Sequence, residues 1–121
     1  MKNTESKEMY LETILTLKKR GLRARSVDVA NELGFSRPSV SNAVKLLQKQ
    51  GYITVGTDGE LNFTENGQKT AERVYERHLV LTEILVRAGA DKKLAEDNAC
   101  RIEHVISDDM FEILKNYVNS K

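Results

Sequence analysis

The chain has 121 residues, of which 40% are hydrophobic and 31% charged, and its formal net charge is +1 at pH 7. This length is typical of one domain, or of two small units, and it excludes a large multi-step enzyme. The hydrophobic content excludes a disordered chain, and the single Pro and seven Gly disfavour a β-sandwich, so we expect a mostly helical protein.

Three helices are predicted in the first part of the chain from apolar residues at helical spacing. We expect the second to begin at Ser26, a favoured N-cap residue, and the third to carry Pro38 in its first turn, where a missing N–H is tolerated. The predicted spans are about residues 4–20, from Ser26 to Gly34, and from Ser36 or Arg37 to Gly51. Two helices joined by a short turn at Gly34 are typical of a helix-turn-helix.

The pattern changes from helical to strand-like after Gly51. Residues 52–55 and 60–63 are predicted as two short strands, and the pair Asp58-Gly59 between them favours a tight primed turn. Three helices followed by a β-hairpin form a winged helix-turn-helix. The fold class predicted for the chain is therefore mostly α with a small β-hairpin.

Three further helices are predicted after the hairpin, each opened by a good N-cap residue. Their expected spans run from Thr64 to about Arg87, from Asp91 through Ile106, and from Ser107 to about Asn119. We divide the chain into a winged helix-turn-helix domain over residues 1–66 and a second, helical domain over residues 67–121, with any hinge near Gly67.

Charge is distributed unevenly along the chain. Between Thr13 and Lys49 there are eight basic and two acidic residues, whereas from His78 to the end there are six basic and eight acidic residues. This asymmetry suits a protein whose N-terminal half approaches a polyanion.

The third helix is predicted to present a polar, basic face to double-stranded DNA. On a helical wheel Val40, Val44 and Leu47 share the buried side, and short polar or basic residues lie opposite. Such side chains let a helix approach base edges in the major groove and neutralise phosphates. The predicted DNA-binding residues are Ser36, Arg37, Pro38, Ser39, Ser41, Asn42, Lys45 and Lys49. The alternative is a winged-helix protein-interaction module without DNA.

Cys100 is the only cysteine, so it forms no disulfide within the chain. With Glu103 and His104 it stands at i, i+3 and i+4, a spacing that puts a thiol, a carboxylate and an imidazole on one helix face. This combination is a metal half-site. The alternative is that the cysteine is a small buried hydrophobic residue and that the Glu-His pair is exposed and binds no metal. Two further alternatives are a redox-sensing regulator that uses the Cys100 thiol and a variant zinc-hydrolase motif.

Three segments of the sequence resemble the metal-dependent repressors typified by the diphtheria toxin repressor and its shorter manganese-sensing relatives. They are Glu8-Met9-Tyr10-Leu11, Arg37-Pro38-Ser39-Val40-Ser41, and the segment from Ala99 through Cys100, Glu103 and His104 to Asp108. The last is similar to the iron-responsive branch almost residue for residue. The resemblance implies a primary metal site formed by Met9, Cys100, Glu103 and His104, with Met9 contributed by the DNA-binding half.

The resemblance implies further ligands at His78 and Glu12. His78 matches a histidine that the family uses for a second metal, and Glu12 matches a ligand of the manganese-sensing branch. The sequence departs from the family at Thr82, where a second-site partner is usual, and at Glu96, where the iron branch has a histidine. The expected cofactor is Fe²⁺, with Mn²⁺ as the alternative and other divalent transition metals able to substitute.

These expectations combine into a metal-dependent transcriptional repressor of metal-homeostasis genes, not an enzyme. We expect a cytoplasmic homodimer that binds a palindromic operator and no membrane, because no apolar run is long enough to span a bilayer. We also expect the chain to lack the additional C-terminal domain of the longer iron-sensing members.

Overall fold

The computed structural model describes residues 3–120, with side chains from residue 6 onward. The chain divides into two compact units, residues 1–72 and 73–121, and each is described here by itself. In the described residues the helices are α1 (Asn3–Lys19), α2 (Ser26–Leu33), α3 (Arg37–Lys49), α4 (Glu65–Arg87), α5 (Lys92–Ile102) and α6 (Asp108–Asn119), and the strands are β1 (Ile53–Val55) and β2 (Leu61–Phe63). The division lies inside α4, and the domain boundary after residue 66 stays a prediction.

The first unit confirms the predicted winged helix-turn-helix. Its core is formed by apolar side chains of α1, α2, α3 and both strands, because the helical and alternating patterns point these residues inward. Core residues that are at most 2% exposed include Leu11, Ile14, Val29, Val40, Leu47, Ile53 and Leu61. The turn between α2 and α3 uses Gly34 at φ +72°, and Ser36 caps α3 as its N-cap residue.

The start of α2 differs from the prediction, because Arg25 rather than Ser26 occupies the N-cap position. The Asp28 carboxylate accepts a hydrogen bond from the Arg25 N–H at 2.9 Å and a second from Arg25 Nε at 3.0 Å. The first turn is therefore completed by a carboxylate that reaches back along the chain, and Ser26 becomes the first helical residue. These contacts with Arg25 hold the pKa of the Asp28 carboxyl below its ordinary value.

The two strands form an antiparallel hairpin in which Ile53 pairs with Phe63 and Val55 with Leu61. The predicted primed turn at Asp58-Gly59 is wrong. Such a turn needs positive φ at two central residues, and no non-glycine residue in the described range has positive φ. The Gly59 N–H instead donates to the Gly56 carbonyl at 3.0 Å, and Gly59 itself takes φ +86°. A three-residue loop with a glycine bulge thus connects the strands.

Glu60 connects this hairpin, the wing, to α1 and to the loop between α1 and α2. Its carboxylate accepts hydrogen bonds from Lys18 Nζ at 3.0 Å, Arg23 Nε at 3.1 Å and the Ala24 N–H at 3.2 Å. The Lys18 ammonium, together with Arg23 and the Ala24 N–H, holds the pKa of the Glu60 carboxyl below its ordinary value. The Glu60 side chain is only 19% exposed, so solvent screens these contacts incompletely.

Replacing Glu60 with glutamine is expected to destabilise the protein by about 1 kcal/mol at pH 7, since the charge-assisted hydrogen bonds are weakened. Because folding lowers the pKa of Glu60, its contribution is complete above the unfolded value of about 4.3 and is lost as the pH falls through the folded value. Urea unfolding from pH 7 to pH 3 checks this difference. Glu32→Gln removes an exposed pair with Arg20 and serves as the control. A difference between wild type and Glu60→Gln that did not change with pH would contradict the prediction.

The start of α4 is attached to the residues that follow α3. The Thr64 hydroxyl lies 2.7 Å from the Gly51 carbonyl oxygen and accepts a hydrogen bond from the Gly67 N–H at 3.0 Å. Gly67 is buried, and a Cβ at this position would come within 1.8 Å of the Tyr52 carbonyl oxygen. Glycine therefore occupies position 67 because two backbone segments approach closely there. The boundary between the two compact units lies further along α4, after residue 72.

The second unit is built from the rest of α4 with α5 and α6. Val74 and Leu81 of α4 are buried inside this unit, with exposed fractions of 0% and 3%. Asp91 and Ser107 cap α5 and α6, as predicted. In the described residues, no helix combines the length and the apolar composition that a bilayer crossing requires.

Candidate metal centre and nucleic-acid interface

The segment that carries Glu103 and His104 is a turn, not the continuous helix that we predicted through Ile106. Helix α5 ends at Ile102, Glu103 is its C-cap, and the N–H groups of Val105 and Ile106 both donate to the Ile102 carbonyl at 3.0 Å. The chain then reaches Ser107, which takes an extended conformation, with ψ 157°, to cap α6. The prediction that all three donors lie on one helix face is therefore wrong: Cys100 lies on α5, and Glu103 and His104 lie in the turn that follows it.

The turn nevertheless brings the three predicted donors together. One ligand atom each from Cys100, Glu103 and His104 lies within 4.8 Å of the other two. The Glu103 side chain is fully buried, the His104 side chain is 8% exposed, and Cys100 is exposed. A buried carboxylate and imidazole beside an accessible thiol form a cluster with one side open to solvent.

His78, which lies on α4, also contacts this cluster. Its Nδ1 atom lies 2.8 Å from Glu103 Oε1, while the other carboxylate oxygen, Oε2, lies 3.4 Å from His104 Nε2. The Glu103 carboxylate thus stands between two imidazoles that come from different elements of the second unit. Of the predicted ligands, the structure brings together Cys100, Glu103, His104 and His78.

The chemistry of this donor set fits a divalent transition metal. Thiolate, imidazole and carboxylate suit ions such as Fe²⁺, Co²⁺ and Zn²⁺, whereas Ca²⁺ and Mg²⁺ prefer all-oxygen sites. A fully buried carboxylate is costly unless it is paired or ligating, and Glu103 has no exposed surface. The residues present therefore fit the metal that the sequence resemblance implies.

Arg77 is a residue of this region that the sequence analysis missed. Its side chain is buried and donates from Nη1 to the carbonyl oxygens of Glu103 at 3.3 Å and Ile106 at 2.7 Å. A signal was present in the sequence. Arg77 follows Val74 by three residues and precedes Leu81 by four, so a cation lies on the apolar stripe of α4.

Met9 and Glu12 lie in the first unit, one turn apart on α1, and both are half-buried. Met9 lines a shallow groove whose other walls include Phe35, Ser36 and Ser39, at the start of α3. The participation of Met9 and Glu12 in metal binding stays a prediction.

Helix α3 separates its faces as the sequence pattern indicated. Val40, Ala43, Val44 and Leu47 are buried, and the opposite face is polar. Seven of the eight predicted DNA-binding residues are exposed and Ser41 is half-buried; the exposed ones are Ser36, Arg37, Pro38, Ser39, Asn42, Lys45 and Lys49. Short polar residues near the helix start and lysines further along form a surface compatible with a nucleic-acid groove.

Ser36 and Ser39 have a structural role at the start of α3 as well. The Ser36 hydroxyl oxygen accepts a hydrogen bond from the Ser39 N–H at 3.3 Å, and the two hydroxyl oxygens lie 2.9 Å apart. This cap fixes the first turn of α3, the part that would face base edges. Substitution of either serine therefore changes helix geometry as well as any DNA contact.

Two family models together cover nearly the whole chain. The N-terminal DNA-binding domain of the iron dependent repressors matches residues 2–61, and their metal binding and dimerisation domain matches residues 64–120. An uncharacterized HTH-type transcriptional regulator of Methanocaldococcus jannaschii is 31% identical over 117 residues, which cover 95% of this chain and 94% of that protein. The chain belongs to the iron-dependent repressor family.

Two other proteins to which the chain is similar are longer. The diphtheria toxin repressor of Corynebacterium diphtheriae is 34% identical over 107 residues, covering 88% of this chain and 47% of that protein. The solved structure of the manganese regulator SloR is 26% identical with a TM-score of 0.83, covering 95% of this chain and 54% of that one. The chain thus spans about half the length of these relatives.

Proposed function

We propose that this member of the iron-dependent repressor family is a metal-dependent transcriptional repressor of metal-homeostasis genes. The observation that carries the proposal is the meeting of Cys100, Glu103 and His104 within 4.8 Å in the unit that matches the family's metal binding and dimerisation domain. The exposed polar face of α3, in the unit that matches the DNA-binding domain, supports the second half of the proposal.

The proposed primary ligands are Met9, Cys100, Glu103 and His104, with His78 and Glu12 as additional ligands. We assign Fe²⁺ as the cofactor and Mn²⁺ as the alternative, since the name of the family refers to iron and the solved relative SloR is a manganese regulator. A thioether and a thiolate favour the softer ion of the two. When bound, the ion supplies a crosslink between donors that are distant in the sequence.

The proposed partner is a palindromic double-stranded operator bound by a homodimer. A single module of this size buries too little surface for high specificity, so two copies of α3 would read two half-sites. Apolar side chains available for a dimer contact remain exposed on α4 and α6 of the second unit, among them Leu79, Val86, Ile113 and Tyr117. Leu79 and Val86 are seven residues apart on α4, and Ile113 and Tyr117 are four apart on α6, so each pair lies on one helix face and can contribute to an interface.

The proposed ligands link metal binding to the state of the Cys100 thiol and to DNA binding. Cys100 must lose its proton to ligate, so metal affinity is expected to rise with pH and to fall when the thiol is oxidised. Met9 and Glu12 lie on α1, which packs in the same unit as the recognition helix α3. Because any ligand that favours the DNA-binding conformation must itself be bound more tightly by that conformation, metal and DNA are expected to increase each other's affinity by the same factor.

Operator binding is expected to require metal. Anisotropy titrations of the protein against a fluorescent palindromic duplex, selected by enrichment from a random pool, should give tight binding with anaerobic Fe²⁺ or Mn²⁺ and weak binding with EDTA. Cys100→Ala and His104→Ala should bind weakly in both conditions. Equal affinity with and without metal contradicts the proposal, and a response to peroxide in EDTA favours redox sensing through Cys100.

The α3 surface makes a separate prediction about specificity. Asn42→Ala should relax sequence choice at one position of each half-site by about 1–3 kcal/mol, because a bidentate amide contact with a base edge is lost. Lys49→Ala should instead weaken all sequences similarly and reduce the salt slope by about one unit, as expected for a phosphate contact. Competition assays at several salt concentrations separate these outcomes. Identical effects of the two substitutions would contradict the assignment.

A further inference from the structure

Arg77 occupies an unusual position for an arginine. It belongs to α4, its side chain is 5% exposed, and its guanidinium lies between α4, the turn after α5 and the start of α6. A buried guanidinium is costly unless its donors are used. The groups that Arg77 contacts therefore indicate its role.

The first group of contacts is with the backbone of the turn that carries the metal donors. Arg77 Nη1 donates to the Glu103 carbonyl at 3.3 Å and to the Ile106 carbonyl at 2.7 Å. Carbonyls at a helix C-terminus have no partner in the helix, so they need one from elsewhere. His104 lies between the two carbonyls that Arg77 binds, and its backbone is held from both sides.

The second group of contacts is with α6. Arg77 Nη2 donates to the Asp108 carboxylate in the first turn of that helix, and the guanidinium carbon lies 5.4 Å from the centre of the Phe111 ring. The Asp108 side chain is 81% exposed, so the carboxylate is reached by both solvent and the buried cation. One planar group thus fixes both ends of the short connection between α5 and α6.

The neighbouring residue on α4 holds the other part of Glu103. His78 Nδ1 lies 2.8 Å from the Glu103 carboxylate, while Arg77 binds the Glu103 carbonyl. Consecutive residues of one helix therefore fix the side chain and the backbone of the same residue. Lysine has no planar fork and reaches fewer acceptors, so the contacts with two carbonyls and a carboxylate are specific to arginine.

We propose that Arg77 is a positioning residue of the metal centre: its guanidinium holds the 103–106 turn in the conformation that presents Glu103 and His104 as ligands. This inference rests on the proposed metal binding of Cys100, Glu103 and His104. Groups that orient ligands from outside the coordination shell typically change metal affinity by about 10- to 100-fold.

Titration with Co²⁺ tests the proposal, because a cobalt–thiolate bond gives a near-ultraviolet charge-transfer band. Arg77→Met is expected to weaken Co²⁺ binding about 10- to 100-fold and to alter the ligand-field spectrum, with a smaller loss for Arg77→Lys. In the metal-free protein, amide exchange at Val105 and Ile106 should be faster in Arg77→Met, since their turn loses its support. This second measurement does not depend on metal.

Arg87→Met is the matched control. Arg87 also lies on α4 and donates to a backbone carbonyl of α6, that of Val118 at 3.4 Å, but it pairs with Glu83 and contacts none of the cluster. It should leave Co²⁺ affinity and exchange at Val105 and Ile106 unchanged. Circular dichroism and thermal melts of the metal-free variants report whether they fold. If Arg77→Met does not fold, Co²⁺ affinity and amide exchange are measured on Arg77→Lys instead.

The outcomes separate this inference from the proposed function. Wild-type protein that binds no Co²⁺ overturns the metal centre and this inference with it. Tight binding by wild type and folded Arg77 variants with affinity within twofold of wild type overturns the positioning role alone. An equal loss of affinity in Arg87→Met would assign the effect to general destabilisation and would also overturn it.

Discussion

Glu103→Gln is expected to abolish most of the stabilisation that Co²⁺ gives the wild-type protein. Glutamine keeps the size of this fully buried side chain but loses its negative charge and one ligand oxygen. At a metal concentration of 100 times Kd the wild type gains about 2.7 kcal/mol. If the affinity falls about 100-fold, the gain falls to about 0.4 kcal/mol.

Urea unfolding with and without Co²⁺ measures this difference without knowledge of the operator. Glu76→Gln is the matched control, because Glu76 lies on α4 of the same unit and pairs with Lys115 at 2.8 Å, outside the cluster. It should retain the full metal-dependent stabilisation. Equal metal-dependent stabilisation of Glu103→Gln and wild type would remove Glu103 from the ligand set.

Local sequence signals explain why the fold could be predicted well. Gly21, Gly34 and Gly51 lie within two residues of the ends of α1, α2 and α3, and each takes a positive φ that favours glycine. Ser36, Asp91 and Ser107 cap helices because their side-chain oxygens accept from the N–H three residues later. These interactions span a few residues, so the sequence alone contains them.

The errors in the fold prediction have tertiary causes. The helical pattern continues through Ile106, but the chain turns after Ile102, and Arg77 offers partners to carbonyls that the turn leaves without a helical partner. The hairpin turn is shifted because Gly59, and not Asp58, takes positive φ. Neither a partner 26 residues away nor the twist of a strand pair is visible in a local pattern.

The metal donors of the candidate site were predicted from the sequence, whereas Arg77, which holds the turn that carries two of them, was not. The spacing of Cys100, Glu103 and His104 and the resemblance to known repressors named the donors, and the structure groups them. His78 was assigned by resemblance, and the structure adds the physical contact with Glu103. Arg77 was missed because its role depends on the carbonyls of a turn that the sequence predicted as helix.

Gly67→Ala is expected to cause the largest loss of stability of any substitution considered for the first unit. The added Cβ would lie 1.8 Å from the Tyr52 carbonyl oxygen and 2.8 Å from its carbon, both backbone atoms. Relief requires α4 to move away from the segment that follows the recognition helix. This movement breaks the hydrogen bonds from Thr64 to Gly51 and from Gly67 to Thr64.

Overpacking against backbone and the loss of these hydrogen bonds together should cost about 3–5 kcal/mol, which is in the range of the most severe single substitutions. Chemical denaturation of the metal-free protein measures the cost. Asn66→Ala, an exposed neighbour in the same turn of α4, is expected to change stability by no more than about 0.5 kcal/mol. If Gly67→Ala unfolded at the denaturant concentration of wild type, the close approach of α4 to Tyr52 would be wrong, and with it the attachment of α4 to the wing and the recognition helix.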